Sequence, residues 1–517
     1  MNWTHGYVQG VDYTHHYCRE LSPSLLDFAC LSRGISTSLA DRPLKYLELG
    51  FGQGVSLNVH AAACQGEFWG TDFTPVHVLN ARELAAAAQS DVRLFEESFQ
   101  EFARRDDLPE FDVIGMHGTW SWISAENRAT VLELVRKKLA PGGVFYLSYN
   151  ALPGCAAELS LRHFLKLHAE QVSPPLLGSS EKLDAALSLV RALAEAGSRH
   201  FQEHGDSKAL LDRVNAQNRN YLAHEYLGRD WQPMGFADVA ALAGEAKLEF
   251  ATSALLLDHL DALAFPDKAK RLLDDSKAPV VRETLRDYLV NQRFRRDIFV
   301  KGLRRLSPEA RDERFGRARF VLRAKPEKIL GAKVPLPFGE AELKPEIYGA
   351  LGAALAEQNF TPKSLNFLKQ HPECKALRSG QLMNALRLLV STGHLHLAQS
   401  AAAAAAAAPR CQALNAHLLE RAAHTDDNSV LASPITGSGV LVSHEQQLFL
   451  QARALGKTAP AEWAAYALHR YAALGIRLTH AGRVLESSAE TQAYLAQSAQ
   501  TFAEQELSVL QALGVCA

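Results

Sequence analysis

The sequence predicts an α/β fold, in which helices cover both faces of a mainly parallel sheet, followed by a mostly helical C-terminal region. Two observations lead to this expectation. Short apolar segments alternate with helical patterns through the first 150 residues, as in consecutive βαβ units. The first apolar segment ends at a glycine cluster and the second at an aspartate, which is typical of the ligand-binding edge of an open α/β sheet.

Five strands are expected in the N-terminal third, with helices between them. The strands are expected at Leu44–Leu49, Glu67–Asp72, Val92–Glu96, Phe111–Met116 and Val144–Tyr149. The helices are expected at Val55–Ala63, Val76–Gln89 and Glu126–Leu139. Because each strand is short, apolar and bounded by turn residues, we expect a sheet buried on both faces.

The pattern changes after Asn150. Residues 155–230 and 258–316 are expected to be helical insertions, and the strand-like segments 247–257 and 319–323 to be the last two strands of the same sheet. A separate helical domain after residue 150 is the alternative. The predicted domains are residues 1–154, 155–330 and 331–517, with a linker at 325–337. The alanine octet before Pro409 is either a helix end or a tether.

Composition argues against several classes of protein. The 517 residues are 47% hydrophobic and carry a formal net charge of -2, so no nucleic-acid or anionic-membrane partner is indicated. The seven cysteines are widely spaced without a Cys-x-x-Cys, which argues against a disulfide framework and a structural zinc site. No signal peptide or membrane span is predicted, and we expect a cytoplasmic protein.

The most informative motif is Glu48-Leu49-Gly50-Phe51-Gly52-Gln53-Gly54, between the first strand and the first helix. Its spacing is G-x-G-x-G, and Val55 occupies the place of the third glycine in a dinucleotide fingerprint. Glycines in this position allow a tight turn and a close approach of the backbone to a ligand. The departure from the fingerprint favours a ligand whose amino-acid end lies over the turn, rather than a pyrophosphate.

Three further groups follow the next three strands. Asp72 ends the second strand, where a carboxylate can accept both hydroxyls of a ribose. Polar and aromatic side chains that follow the third and fourth strands are placed to meet an adenine. The predicted cofactor-binding residues are Glu48, Gly50, Gly52, Gly54, Asp72, Phe73, Glu97, Ser98, Phe99, His117, Gly118 and Trp120.

Together these residues resemble the class I S-adenosylmethionine-dependent methyltransferases. More narrowly, the chain is similar to bacterial methyltransferases that carry a methyltransferase regulatory domain. The stretches that carry this resemblance are Tyr13–Pro23, Glu48–Gly54, Asp112–Ser124, Tyr221–Leu227 with Trp231 and Pro233, and Leu285–Gly302. The resemblance implies a Rossmann-like seven-stranded methyltransferase sheet with helical insertions, and S-adenosyl-L-methionine as the cofactor.

The same family is similar to bacterial protein lysine methyltransferases that modify outer-membrane proteins and form dimers. The resemblance therefore implies a protein lysine as the leading methyl acceptor, and a homodimer. A lysine amine must be neutral to accept a methyl group, although its usual pKa is ~10.4. Burial in an apolar or aromatic pocket lowers that pKa, and a nearby base can take the proton.

Candidate catalytic residues are Tyr13, His117 and His224. Tyr13, His15 and Tyr17 lie in an N-terminal segment that could fold over the cofactor as a lid. The fourth strand is not followed by the Asn/Asp-Pro-Pro-Tyr/Phe pattern of enzymes that methylate base nitrogens or glutamine amides, which disfavours those substrates.

Three alternatives remain open from the sequence. The protein could methylate a small metabolite, in which case the helical insertion would shape a closed pocket. It could instead be a non-catalytic, cofactor-binding regulatory protein, although the intact acid and glycine motif disfavours this. RNA is a further possible substrate, disfavoured by the near-neutral net charge. The basic residues of segment 293–305 are expected to form a solvated face with carboxylate partners.

Overall fold

A seven-stranded sheet forms the centre of the N-terminal half of the molecule. The computed structural model describes residues 14–39, 42–174, 176–215, 222 and 225–517. The strands are β1 (Leu44–Leu49), β2 (Gly66–Asp72), β3 (Arg93–Glu96), β4 (Phe111–Met116), β5 (Leu139–Asn150), β6 (Leu248–Ser253) and β7 (Phe294–Lys301). Their order is β3-β2-β1-β4-β5-β7-β6. Strands β1 to β5 are parallel, and β7 runs antiparallel to both β5 and β6. The predicted fold class is confirmed.

One of the two late strands was assigned wrongly from the sequence. Strand β6 lies where it was expected, but its neighbour β7 is the charged segment 294–301, and segment 319–323 is not part of this sheet. Arg319–Leu322 pairs instead with Leu395–Ala398 and Lys363–Ser364 in a separate three-stranded sheet.

The reason for the error lies in two buried charges of β7. Arg295 and Asp297 are 4% and 1% exposed, and the guanidinium Nε lies 2.9 Å from the carboxylate Oδ2. Arg295 also pairs with Asp287 and Glu283 of the preceding helix. Charged residues in a strand normally indicate solvent exposure, but here each charge neutralises its neighbour inside the sheet. The expected solvated basic face is therefore wrong for Arg295.

Helices pack on both faces of the sheet. They are Pro23–Ser32, Val55–Ala63, Pro75–Ala87, Phe99–Phe102, Ala125–Lys138 and Phe236–Glu245. Local sequence explains several helix starts. Pro75 occupies the first turn of its helix, and Ser98 and Ser124 accept hydrogen bonds from backbone N–H groups three residues further on. The helices after β2 and β3 therefore begin at Pro75 and Phe99, close to the carboxyl ends of these strands.

Two helical insertions interrupt the sheet, but the second is shorter than the predicted 258–316 because β7 lies within that range. The first contains Ala156–Gln171, Ser179–Glu195, Arg199–Glu203 and Gly205–Asn215. Leucines of its helices, including Leu161, Leu183 and Leu210, form a separate small core. The second insertion contains the turn Leu256–His259 and the helices Asp261–Ala264, Asp267–Asp275 and Pro279–Val290, and Pro308–Arg317 follows β7.

The C-terminal region is mostly helical, as predicted. Its helices are Pro345–Phe360, Leu365–Gln370, Ser379–Ser391, Ala401–Ala422, His444–Ala454, Pro460–Leu474, Ser488–Gln505 and Leu507–Ala512. Three hairpins pair Lys333–Leu336 with Gly339–Glu342, Val430–Ser433 with Ser438–Leu441, and Thr479–His480 with Arg483–Val484. Among the described helices, none is long and apolar enough to cross a bilayer.

Two features of this region differ from expectation. The expected linker 325–337 contains the helix Pro326–Ile329 and a hairpin strand, and Ile329 and Val334 are buried in the main core. The alanine octet forms one end of a helix rather than a tether, but the helix does not stop at Pro409: Ser400 caps it and it runs on to Ala422. Alternating charge and proline in the first segment, and low complexity in the second, concealed their packing. The domain boundaries stay predictions.

Candidate functional site

A cavity of ≈ 570 Å³ lies at the carboxyl ends of β1, β4 and β5. It is bordered by four parts of the chain: the glycine turn after β1, the loop after β4, the first insertion with the start of β7, and an extended N-terminal segment. Its lining residues are Thr14, His16, Cys18, Leu21, Glu48, Gly50, Phe51, Gly52, Gln53, Ser56, His117, Gly118, Trp122, Asn150, Cys155, Glu158, Glu225, Tyr226, Arg293 and Phe294.

The glycine turn forms one wall of the cavity. Gly50, Gly52 and Gly54 have φ angles of 69°, 56° and 74°, in the left-handed region that side chains rarely adopt. Gly54 is also packed tightly, since a Cβ there would lie 2.4 Å from the Cβ of Ala81. Only glycine therefore permits this backbone conformation between β1 and its helix. Without side chains at these positions, the backbone of the turn faces the cavity.

Glu48 places a carboxyl group in this wall. The residue is 4% exposed, and the Tyr46 hydroxyl donates to its Oε2 at 3.3 Å. Burial raises the pKa of Glu48 to about 8, and the Tyr46 hydrogen bond partly opposes this shift. The free carboxyl is therefore mainly protonated at pH 7, and a cation that enters the cavity favours the ionised form and displaces the proton.

Asp72 holds the glycine turn from behind. The carboxylate accepts the Gly52 N–H at 2.9 Å and the Thr74 N–H at 2.9 Å, and its Oδ1 lies 3.2 Å from His77 Nδ1. The side chain is 7% exposed and is not one of the cavity-lining residues. The structure therefore brings Asp72 to the turn, in contact with the backbone of Gly52, and the ribose contact expected from the sequence stays a prediction.

Several predicted residues lie beside the cavity rather than on it. Glu97 pairs with Arg105 at 2.7 Å, and Ser98 caps a short helix together with Glu101. Phe99 packs against the apolar core, and Phe73 is half-buried. None of these four lines the cavity among the described residues. Their positions after β2 and β3 agree with the sequence, but their cofactor contacts stay predictions.

The structure corrects the prediction that Trp120 contacts the cofactor. It is completely buried in the core, whereas Trp122, two residues later, lines the cavity. The segment 120–122 forms a single 3-10 turn, which turns the first tryptophan towards the core and the second towards the cavity. The sequence pattern Trp-Ser-Trp contained both side chains, but gave no means of telling which one faced inwards.

His117 lies at the centre of a hydrogen-bonded cluster after β4. Its Nδ1 is 2.9 Å from the Tyr146 hydroxyl, 3.1 Å from Ser148 Oγ and 3.2 Å from Cys18 Sγ. No hydrogen bond joins its Nε2 to a described residue. Burial lowers the pKa of His117 to about 4, with Glu20 partly opposing that shift. The imidazole is therefore neutral near pH 7 and can accept a hydrogen bond at Nε2.

Gly118 keeps the cavity open next to His117. Its φ is 69°, and its N–H donates to Ser148 Oγ at 2.8 Å. A Cβ at this position would meet no atom within 4 Å, so a side chain here would project into open space at the cavity wall.

The opposite side of the cavity was not predicted from the sequence. Trp122, Tyr226 and Phe294 supply aromatic groups, and Glu158 and Glu225 supply carboxylates. Glu158 forms an ion pair with Arg293, and Trp122 lies 6.0 Å from Trp231, ring centre to ring centre. These residues come from four segments far apart in the chain, and all of them except Glu158 lie in stretches that carry the family resemblance.

An N-terminal segment, residues 14–19, forms the last wall, and we call it the strap; it has no regular secondary structure through Cys18 and enters a 3-10 turn at Arg19. Thr14, His16 and Cys18 line the cavity, and the Cys18 N–H donates to Ser56 Oγ at 2.8 Å. The segment expected as a lid lies here, but His15 and Tyr17 do not line the cavity, and a movement over the cofactor stays a prediction. Two of the predicted catalytic residues, Tyr13 and His224, lie outside the described residues.

Family comparisons agree with the geometry. Residues 47–145 match the model of a methyltransferase domain, and residues 218–301 match a predicted methyltransferase regulatory domain. Over all 517 residues the chain is 33% identical to the uncharacterized protein sll1526 of Synechocystis sp., with complete coverage of both chains. It is also 27% identical over 189 residues to the uncharacterized protein RP028 of Rickettsia prowazekii, which covers 36% of this chain and 72% of that one.

A solved structure has the same fold. PKMT2 from Rickettsia typhi, in complex with AdoHcy, superposes with a TM-score of 0.67 at 17% sequence identity. The match covers 97% of this chain and 99% of that chain, so the similarity extends over the insertions and the C-terminal region as well as the sheet.

Proposed function

Because the chain belongs to the class I S-adenosylmethionine-dependent methyltransferases that carry a methyltransferase regulatory domain, we propose that it methylates lysine side chains of a protein. The observation that carries this proposal is the composition of the second half of the cavity. Its wall combines aromatic rings with carboxylates, a combination that attracts an ammonium group and then desolvates it.

The glycine-turn side of the cavity fits the cofactor. S-adenosyl-L-methionine supplies a methyl group on a positively charged sulfur, with a neutral thioether as leaving group. We propose that Glu48 balances the charge of the amino-acid end, and that Gly50 and Gly52 allow the backbone to approach it. Asp72 keeps the Gly52 amide in place. Phe73, Glu97, Ser98 and Phe99 remain proposed neighbours of the adenosine.

His117 is proposed to orient the methyl acceptor. A neutral imidazole can accept a hydrogen bond from the acceptor amine at Nε2 and so direct the nitrogen lone pair. Tyr146 and Ser148 hold Nδ1, which fixes the plane of the ring. The low pKa matters for a further reason: a protonated histidine would repel both the sulfonium and an arriving ammonium group.

The aromatic side chains prepare the amine for reaction. Trp122, Tyr226 and Phe294 replace water around it, which lowers the pKa of a lysine and favours the neutral form. Glu225 attracts the charged form from solvent, whereas the charge of Glu158 is balanced by its ion pair with Arg293. Binding by charge followed by desolvation in one cavity suits a flexible cationic side chain that is carried on a larger molecule.

The test is to incubate the full chain with radiolabelled S-adenosylmethionine and bacterial lysate, then separate protein, RNA and small molecules. The proposal predicts label in protein, recovered as methyllysine after hydrolysis. A Gly52→Val variant is the negative control, because its cavity is blocked. Label that is found only in RNA or only in small molecules would contradict a lysine acceptor.

A further inference from the structure

We infer that the C-terminal region positions the strap, and through it the cofactor cavity, so that Arg421 and Tyr17 are positioning residues for cofactor binding. This rests on the proposed cofactor site but not on the lysine acceptor. It assigns a role to a region that lies more than 300 residues from the strap in sequence.

The strap has two faces. Residues of an extended segment alternate in direction. Thr14, His16 and Cys18 line the cavity, whereas the residues between them point the other way and bond to the C-terminal region. One segment is thus both a cavity wall and a part of the interface with that region.

Three bonded contacts fasten the outer face. His15 Nε2 accepts from Arg421 at 2.8 Å, and its Nδ1 lies 3.4 Å from Asp427 Oδ2. The Tyr17 hydroxyl accepts the Gly439 N–H at 2.8 Å and lies 3.1 Å from His60 Nε2. Arg19 donates to the backbone carbonyls of residues 390 and 391.

Arg421 also reaches the opposite wall. It donates to Asn80 Oδ1 at 2.7 Å, and Asn80 Nδ2 donates in turn to the Gln53 carbonyl at 2.7 Å. Gln53 belongs to the glycine turn and lines the cavity. Asp427, 2.7 Å from Arg421, fixes the guanidinium in the orientation that serves both walls.

The guanidinium of Arg421, on the helix Ala401–Ala422, therefore links two walls of one cavity. Without it, the strap would keep its direct bonds to Ser56 and His60 of the helix that follows the glycine turn. It would lose the link that runs through Asn80 to Gln53 of the turn itself. Since a ligand between two walls is retained by contacts to both, the loss should appear mainly as faster cofactor release.

Arg421→Gln is the direct test, and Arg410→Gln is its matched control. Arg410 lies on the same helix and donates to the Ala62 and Cys64 carbonyls, but does not touch the strap. S-adenosyl-L-homocysteine is titrated calorimetrically into each full-length variant, and hydrogen exchange of residues 14–19 is followed. We expect about tenfold weaker binding and faster strap exchange for Arg421→Gln, with neither change in the control.

Tyr17→Phe provides a second variant that removes one hydroxyl and keeps the ring. We expect about fivefold weaker binding. The inference would be overturned if Arg421→Gln and Tyr17→Phe both bound S-adenosyl-L-homocysteine with wild-type affinity. It would also be overturned if Arg421→Gln and Arg410→Gln lost equal affinity. Neither measurement uses a methyl acceptor, so a failure to find methyllysine leaves this result intact.

Discussion

The two halves of the cavity are built in opposite ways. The glycine-turn half comes from one short stretch of chain, Glu48–Gly54, held by Asp72 at the end of the adjacent strand. The half proposed for the acceptor combines Trp122 and Phe294 with residues of the first insertion, among them Glu158. The proposed cofactor contacts of the glycine turn are thus encoded locally, and the proposed acceptor contacts by tertiary assembly. Changes in the first half should alter cofactor affinity, and changes in the second half should alter acceptor affinity alone.

The largest effect is expected for Gly52→Val. A β-branched side chain strains a backbone with φ of 56° and also occupies the cavity wall. We expect a loss of about 3 kcal/mol in binding of S-adenosyl-L-homocysteine, or about 100-fold, by calorimetry. The control is Gly475→Val, which has a φ of 66° and no atom within 4 Å of its Cβ position. Equal affinity in the two variants would contradict the assignment of the turn.

Asp72→Ala should come next. Removing the carboxylate releases the Gly52 and Thr74 amides, and we expect about 2 kcal/mol of lost cofactor affinity, or about 30-fold. Asp112→Ala is the matched control. Asp112 is equally buried and accepts the Lys45 N–H at 2.9 Å, at the amino end of the same sheet. If both variants bind the cofactor as the wild type does, Asp72 does not support the turn.

Trp122→Ala tests the half of the cavity that is proposed to bind the methyl acceptor. Losing an aromatic face for an ammonium group costs about 1.4 kcal/mol, so we expect about a tenfold higher KM for the methyl acceptor. Cofactor affinity should not change, and Trp122→Phe should restore most of the activity. A parallel loss of cofactor affinity would show that the two halves are not separable.

The smallest effect concerns pH. Burial raises the pKa of Glu48 to about 8, so below that pH the free protein holds a proton that a cationic ligand must displace. Cofactor affinity should therefore rise with pH, by about fivefold from pH 7 to pH 8. Calorimetry in buffers of different ionisation enthalpy should detect the released proton. The Glu48→Gln variant should lose both the pH dependence and the proton release.

The same residue affects folding stability in the opposite direction. The folded-state pKa of Glu48 lies above its ordinary value, so between these pH values the folded protein holds a proton that the unfolded chain has lost. The contribution of Glu48 to stability is therefore present at low pH and is lost as the pH rises through about 8. As the pH rises towards 8, ionisation of Glu48 thus increases cofactor affinity and decreases folding stability.

The parts of the fold that could be predicted are those with local signals. Strands β1 to β5 are apolar segments that end at turn residues, and each was placed to within a few residues except at the start of β5. Strand β7 was missed because Arg295 and Asp297 satisfy each other inside the sheet. A buried ion pair cannot be recognised from the hydrophobic pattern of a sequence, because each charged residue by itself indicates solvent exposure.

The site divides in the same way. Glu48, Gly50, Gly52, His117 and Gly118 line the cavity where the sequence placed them. Trp120 and Trp122 could not be told apart, because the direction of each side chain depends on a single 3-10 turn. The strap was expected as a lid, but its alternating faces become visible only when the C-terminal region is packed against it.

A crystal structure of the full chain with S-adenosyl-L-homocysteine tests the central claim most directly. We expect the ligand to occupy the cavity between the glycine turn and the strap. Its amino group should lie near Glu48, and its sulfur should face His117 and Trp122. A ligand bound at any other place, or a cavity closed by side chains in the complex, would contradict it.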